Sequence, residues 1–201
     1  MLNIGVLVSG GGTNLQKLID AQNAGNIKNG VLRVVIASRA DALALERAKQ
    51  AGIEAIALCR KDYPDVDSYS QALIDALQAR DVELVVLAGF LTITGENFVR
   101  AFPNRILNVH PALLPAFGGK GYYGLHVHEA VLERGVKVTG ATVHFVNEIP
   151  DGGEIIAQRA VEVRDKDTPE TLQARVMEEA EWVILPQSVE KICAEIINER
   201  K

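Results

Sequence analysis

The chain reads as an α/β protein built on one open, mostly parallel sheet with helices on both faces. Three observations predict this. Short runs rich in Val, Ile and Leu recur along the first half, each followed by an amphipathic stretch of helical period. Strands apolar on both faces belong to a buried parallel sheet, whose neighbouring strands need helical crossovers. A length of 201 residues, with 48% hydrophobic and 23% charged residues, favours one large core over two domains or a disordered chain.

The first strand is read at Asn3 to Val8, the next at Val31 to Ser38, then Ile53 to Leu58, Val82 to Ala88 and Ile106 to Val109. Between them, Asn14 to Ala24 places Leu15, Leu18 and Ile19 on one helical face and stops near Gly25. Asp41 is expected to cap a helix through Leu43, Leu45 and Ala48 that Gly52 ends, and Ser68 to Arg80 repeats the pattern with Leu73, Ile74 and Leu77. After Val109 the rhythm changes. A turn-rich segment from His110 to Gly124 leads to a helix near His126 to Arg134, then to strands at Lys137 to Val146 and Ile155 to Arg164. The short turn from Asn147 to Gly153 between these two strands implies antiparallel pairing, so the Rossmann-like sheet should carry an antiparallel C-terminal extension. Thr168 and Pro169 have the N-cap and N1 pattern of a helix start, and Pro186 is expected to break or kink the helical tract that follows. The whole chain, 1–201, is read as one domain, with halves at about 1–105 and 106–201.

A net charge of −5 disfavours a default role in binding nucleic acid. The opening run MLNIGVLVS lacks the features of a signal peptide, and no stretch approaches the ~18 apolar residues of a membrane span, so a soluble cytoplasmic protein is expected. Cys59 and Cys193 lie far apart without C-x-x-C partners, which argues against a disulfide framework or a thiolate metal site.

Three constellations could carry chemistry. Ser9-Gly10-Gly11-Gly12-Thr13-Asn14 falls where the first strand meets the first helix, and helix N-termini attract anions. Leu15 occupies the place of the third glycine of a dinucleotide fingerprint, so a monophosphate or carboxylate suits the loop better than NAD. The plainer alternative is a tight turn with no ligand. All four histidines, His110, His126, His128 and His144, fall within one 35-residue stretch. Asn108 and His110, two apart on a strand, project to one face at its carboxyl end, where open α/β sheets bind ligands. An amide can bond a carbonyl oxygen as charge develops on it and an imidazole can hold or move a proton, so the pair suits addition to a carbonyl; an ordered strand end would explain it equally well. Asp151-Gly152-Gly153 is by itself a turn. If the late strands extend the sheet beside Asn108, Asp151 can approach His110, orient it and raise its pKa. His126 and His128 lack the further ligands that a zinc site needs, and no metal is expected.

These blocks, in order, resemble the glycinamide ribonucleotide formyltransferase family, the folate-dependent enzymes of purine synthesis. The resemblance rests on Ser9 to Gln16, Val85 to Phe90, Leu107-Asn108-Val109-His110-Pro111-Ala112-Leu113-Leu114-Pro115, and His144-Phe145-Val146 before Asp151-Gly152-Gly153, and it spans nearly the whole chain. It implies transfer of the formyl group of 10-formyltetrahydrofolate to the amine of glycinamide ribonucleotide, with no metal and no NAD. Asn108, His110 and Asp151 would be catalytic. Gly12, Thr13 and Asn14 would hold the substrate phosphate, and Glu181 would face the ribose or amine. The folate would lie against Leu91, Thr92, Ile93 and Thr94 and against Asn147, Glu148, Ile149, Pro150 and Asp151. Thr92, Val66, Ala112 and Gly118 depart from residues common in the family, which bears on the folate tail contacts rather than the chemistry. The segment from Gly119 to Gly124 suits a mobile lid in which Lys120 could meet an anion. The partners implied are these small molecules, with no nucleic acid and no membrane, in a monomer or homodimer. The alternatives are a related formyltransferase or formyltetrahydrofolate hydrolase with another acceptor, and a non-catalytic module that binds a phosphometabolite.

Overall fold

The computed structural model describes residues 1–200. The chain runs β1 (Leu2–Val8), α1 (Thr13–Asn23), β2 (Gly30–Ala37), α2 (Leu43–Gln50), β3 (Glu54–Ala57), α3 (Val66–Gln78), β4 (Leu84–Leu87), α4 (Glu96–Ala101), β5 (Ile106–His110), α5 (Leu125–Arg134), β6 (Val138–Phe145), β7 (Ile155–Glu162), α6 (Pro169–Val176) and α7 (Trp182–Glu199). The seven strands form one sheet in the order β3-β2-β1-β4-β5-β6-β7. The first five are parallel and β6 and β7 are antiparallel, as the change of rhythm after Val109 predicts.

Two apolar layers sandwich the sheet. Ile4, Val6, Leu84, Val86, Leu107 and Val109 pack with residues of α1, α2, α6 and α7 on one face, while Leu7, Val34, Ile36, Val85 and Ile106 meet Tyr69, Leu73 and Leu77 of α3 and Phe98 of α4 on the other. Alternation along β5 therefore turns Asn108 and His110 to the second face. There they lie beside His144 and Thr142 of β6, their register partners. Segments at 111–124 and 147–153 reach this region, where Phe117 bonds His110 and Asp151 faces it. Loops thus contribute to the surroundings of the β5 and β6 side chains, an arrangement suited to a site that must admit a ligand.

Several expected boundaries are corrected. Asp41 does not cap α2, because its carboxylate is taken by Arg39 through bonds of 2.7 and 3.0 Å. Ala42 occupies the N-cap, and the free N–H of Ala44 is given instead to the carbonyl of Gly10 at 3.2 Å. α3 begins two residues before Ser68, in a capping box that Ser68 shares with Asp65. The six-residue α4 has no counterpart among the expected elements. Thr168 and Pro169 do open α6, and Thr171 completes a capping box. Pro186 neither ends nor interrupts α7; the departure from α geometry lies before it, as a π-helical stretch at Met177–Glu181. Such widened turns gather at functional sites, and this one carries Glu181. Among the described residues no helix is long and apolar enough to cross a membrane.

Candidate active site

Four side chains from β5, β6 and the loop after β6 converge. The His110 Nε2 lies 2.7 Å from the carbonyl of Phe117, which can only accept, so Nε2 carries the proton. His110 Nδ1 then faces Asp151 Oδ2 at 3.6 Å. By the same reasoning His144 donates from Nδ1 to the Phe145 carbonyl at 2.8 Å. Its Nε2 lies 3.1 Å from the Asn108 amide nitrogen and 3.5 Å from Asp151 Oδ1. A neutral His144 ring accepts from Asn108 there, and a charged one points its second proton at Asp151.

Burial is the dominant influence on His110 and pushes its pKa down, while Asp151 and the Phe117 carbonyl push it up. The expectation that Asp151 raises this pKa is therefore right as to its direction, but desolvation outweighs it and the net shift is downward. For Asp151 burial works upward, yet the His144 ring, the Gly119 N–H and the charge of His110 together hold the carboxyl below its ordinary value. Asp151 itself has φ 54°, a left-handed conformation that aspartate tolerates better than most residues. The following turn is close-packed: a Cβ at Gly153 would sit 1.8 Å from the carbonyl oxygen of Phe145, so only glycine fits.

The segment over the site is pinned to it. Gly119 N–H donates to Asp151 Oδ2 at 2.8 Å, next to the Phe117 bond with His110. At its root, the Thr142 hydroxyl donates to the Ala112 carbonyl at 2.6 Å and accepts from Leu114 N–H at 3.1 Å. Farther along, Tyr122 and Tyr123 are exposed, and Tyr122 stands edge-on to Phe117.

A second group forms at the start of α1. Gly12 is its N-cap with φ 72°, and a Cβ there would meet Ala44 Cβ at 2.7 Å. This glycine is required by the approach of α2. Asn14, in the first turn, is buried and donates to Glu181 Oε2 at 2.6 Å, while its own Oδ1 has no partner among the described residues. Glu181 is only 6% exposed, and burial pushes its carboxyl up to about 7 against the pull of Asn14. The Thr13 hydroxyl reaches Met177 Sδ at 3.9 Å. The π-helical stretch is thus stitched to the glycine loop at both of its ends.

The structure brings Asn108, His110 and Asp151 together; of the glycine-loop residues it joins Asn14 to Glu181 and Thr13 to Met177, while Gly12 packs against Ala44. It does not join the two expected folate segments by any hydrogen bond among the described residues. Leu91 N–H is bonded to Ser9 Oγ at 2.9 Å, and Ile149 N–H to the Asn147 side chain at 3.0 Å. Leu91, Ile93 and Ile149 are exposed apolar side chains. His126 and His128 diverge: His126 is exposed and bonded to Glu129 at 2.8 Å, while His128 is fully buried with neither ring nitrogen partnered among the described residues.

Sequence reasoning gave His144 and Ser9 no role of their own and passed over Thr142 and Arg47. Period-two alternation from His144 would have found Thr142 on the same face. Nothing local marks Arg47, which touches the glycine loop from another helix.

Known proteins resemble the chain in both sequence and fold. The family profile described as formyl transferase matches residues 2–189. The chain is 43% identical over 199 residues to a chloroplastic phosphoribosylglycinamide formyltransferase of Arabidopsis thaliana, covering 98% of this chain and 68% of that protein. It is 42% identical over 175 residues to the phosphoribosylglycinamide formyltransferase of Escherichia coli, covering 87% and 80% respectively. Among solved structures, glycinamide ribonucleotide transformylase 1 from Symbiobacterium toebii superposes with a TM-score of 0.91 at 46% identity, over 97% of this chain and 89% of that one.

Proposed function

The chain belongs to the formyl transferase family, and from that premise we propose that it transfers the formyl group of 10-formyltetrahydrofolate to the amine of glycinamide ribonucleotide, a step of purine synthesis. The observation that carries the reading is the cluster of Asn108, His110, His144 and Asp151 on one sheet face, bordered by loops. The names of the curated relatives and the solved neighbours support the choice of substrate.

When bound, the folate supplies a formyl carbon open to attack by an amine. The Asn108 amide is the donor for the formyl oxygen as it gains charge, and a charged His110 ring beside it adds electrostatic stabilisation while its two N–H groups are directed at the Phe117 carbonyl and Asp151. Asp151 favours that charge by standing beside Nδ1 and offsets burial in part, while the Phe117 carbonyl holds Nε2 and fixes the ring. His144 keeps Asn108 and Asp151 in register with one another. The lone pairs of Asp151 also offer a place for the proton that the attacking amine releases, and that proton passes on to the folate nitrogen as its bond to the formyl carbon breaks and tetrahydrofolate departs. Direct attack by the amine requires no covalent bond to the protein.

The N–H groups at the start of α1 are the seat for the ribonucleotide phosphate, with Gly12, Thr13 and Asn14 as its residues and Glu181 as a neighbouring contact. The exposed apolar side chains of Leu91, Ile93 and Ile149 suit the flat ring of a folate. Thr92, Thr94, Asn147, Glu148 and Pro150 complete the segments assigned to it.

Formyl transfer measured with and without glycinamide ribonucleotide tests the assignment. Deformylation that runs equally well without the acceptor would favour a hydrolase, and no turnover at all would favour a module that only binds a phosphometabolite.

A further inference from the structure

Three consecutive carbonyls of the glycine loop are tied down from behind. Gly10 accepts from Ala44 N–H at 3.2 Å, Gly11 from Arg47 Nε at 2.8 Å, and Gly12 from Gln16 N–H at 2.9 Å. In a planar trans peptide the N–H points opposite to the C=O. Each tether therefore turns the next N–H, that of Gly11, Gly12 or Thr13, away from its anchor. None of these three N–H groups has a protein acceptor among the described residues. The first two tethers come from α2 and the third from α1, so the first two donors of the row are set by where α2 packs.

Two of the tethers are backbone groups that no side-chain substitution removes. The one at Gly11 is a side chain. Both residues of the Gly11–Gly12 peptide are glycines, which leaves its plane free to rotate at small steric cost once it is released. Arg47 also reaches Gln16 Oε1 through Nη1 at 3.1 Å, so its guanidinium is held at two points in the fixed geometry of a planar fork, which a shorter, freely rotating ammonium does not reproduce. The Arg47 Cδ would lie only 3.4 Å from a Cβ at Gly12, which places the stem directly under the turn.

We propose that Arg47 is a positioning residue for the substrate phosphate: it holds the Gly11 carbonyl so that the Gly12 N–H is presented to the anion. The inference rests on the phosphate reading of the loop given above and extends it to a residue of another helix. Fixing the donor before the ligand arrives spares the ordering cost that binding would otherwise carry.

The test compares Arg47→Ala and Arg47→Lys with the unmodified protein, titrating glycinamide ribonucleotide, inorganic phosphate and the folate separately and measuring kcat and KM. Both variants should lose about tenfold in affinity for the ribonucleotide and for phosphate. Folate affinity and kcat at saturation should hold, and kcat/KM for the dephosphorylated riboside should not change. Full recovery in Arg47→Lys would show that charge alone suffices and would overturn the positioning role. Equal losses for riboside and ribonucleotide would mean general damage to the loop and would overturn it too. If inorganic phosphate does not compete with the ribonucleotide on the unmodified protein, the phosphate reading falls and this inference with it. If phosphate competes and the variants bind it normally, the inference about Arg47 falls alone.

Discussion

Asn14 and Glu181, 167 residues apart in the chain, share a hydrogen bond of 2.6 Å inside the protein. It ties the first turn of α1 to the π-helical stretch before α7 and leaves a carboxyl group in a place where water scarcely reaches. A buried carboxyl is a poor contributor to stability at neutral pH, and its retention beside the glycine loop fits a binding role.

The stability of the protein should record this. Burial lifts Glu181 to about 7 in the folded state, against ~4.3 for an unfolded glutamate. Between those values the native state holds the proton more tightly than the unfolded state, so the stabilisation is full below ~4.3 and is lost as pH rises through about 7. Glu181→Gln, which keeps an acceptor for Asn14, should remove that loss and gain on the order of 3 kcal/mol at pH ~8 relative to pH ~4. Urea unfolding of both proteins across this range checks the slope. Parallel pH profiles would contradict the assignment.

The paired groups at β5 carry the next expectation. His110→Ala and Asp151→Asn should each lower turnover at least ~100-fold, the lower end for loss of an acid-base group, with the fold intact by circular dichroism. The double variant should fall little further, because the two side chains act as a unit. Near-normal rates in both would refute the proposed roles.

Much of the scaffold was legible because it rests on local signals. Alternating strands and amphipathic helices declare the parallel half, and Thr168 with Pro169 declares the start of α6. The glycine run and the Asn108, His110 spacing mark strand ends without any tertiary knowledge. What escaped was set by geometry between distant segments. Asp41 has the sequence of a helix cap, but Arg39 competes for the same carboxylate. α4 is shorter than two helical turns and so offers no readable period. His144 owes its place between Asn108 and Asp151 to antiparallel register, and Arg47 owes its place to the packing of α2 beneath Gly12. Neither arrangement has a counterpart in the local pattern.

The two opposed influences on His110 can be separated. Burial pushes its pKa down and Asp151 pushes it up, so Asp151→Asn should move the His110 titration to still lower pH. The group then charges less readily at neutral pH, and the residual rate should fall as pH rises from a lower point than in the unmodified protein. Following the His110 ring proton by NMR through a pH titration reads the shift directly. An upward movement would mean that Asp151 does not face His110 in solution.

The glycine loop gives the last expectation, in which neighbouring positions should behave differently. Gly12 has φ 72°, and a side chain there would be driven to 2.7 Å from Ala44 Cβ and 2.9 Å from its Cα. Gly12→Val should therefore cost roughly 2 to 4 kcal/mol of stability through overpacking and left-handed strain, and it should weaken the ribonucleotide and the folate together. At Gly11 an added Cβ meets nothing within 4 Å. Gly11→Ala should leave thermal stability and folate binding unchanged, so that any change in ribonucleotide affinity reports on the loop's open side alone. If the N–H groups there hold the phosphate, glycinamide riboside without its phosphate should be a much poorer substrate than the ribonucleotide. Comparing kcat/KM for these two substrates decides the point, because equal values would place the phosphate away from α1.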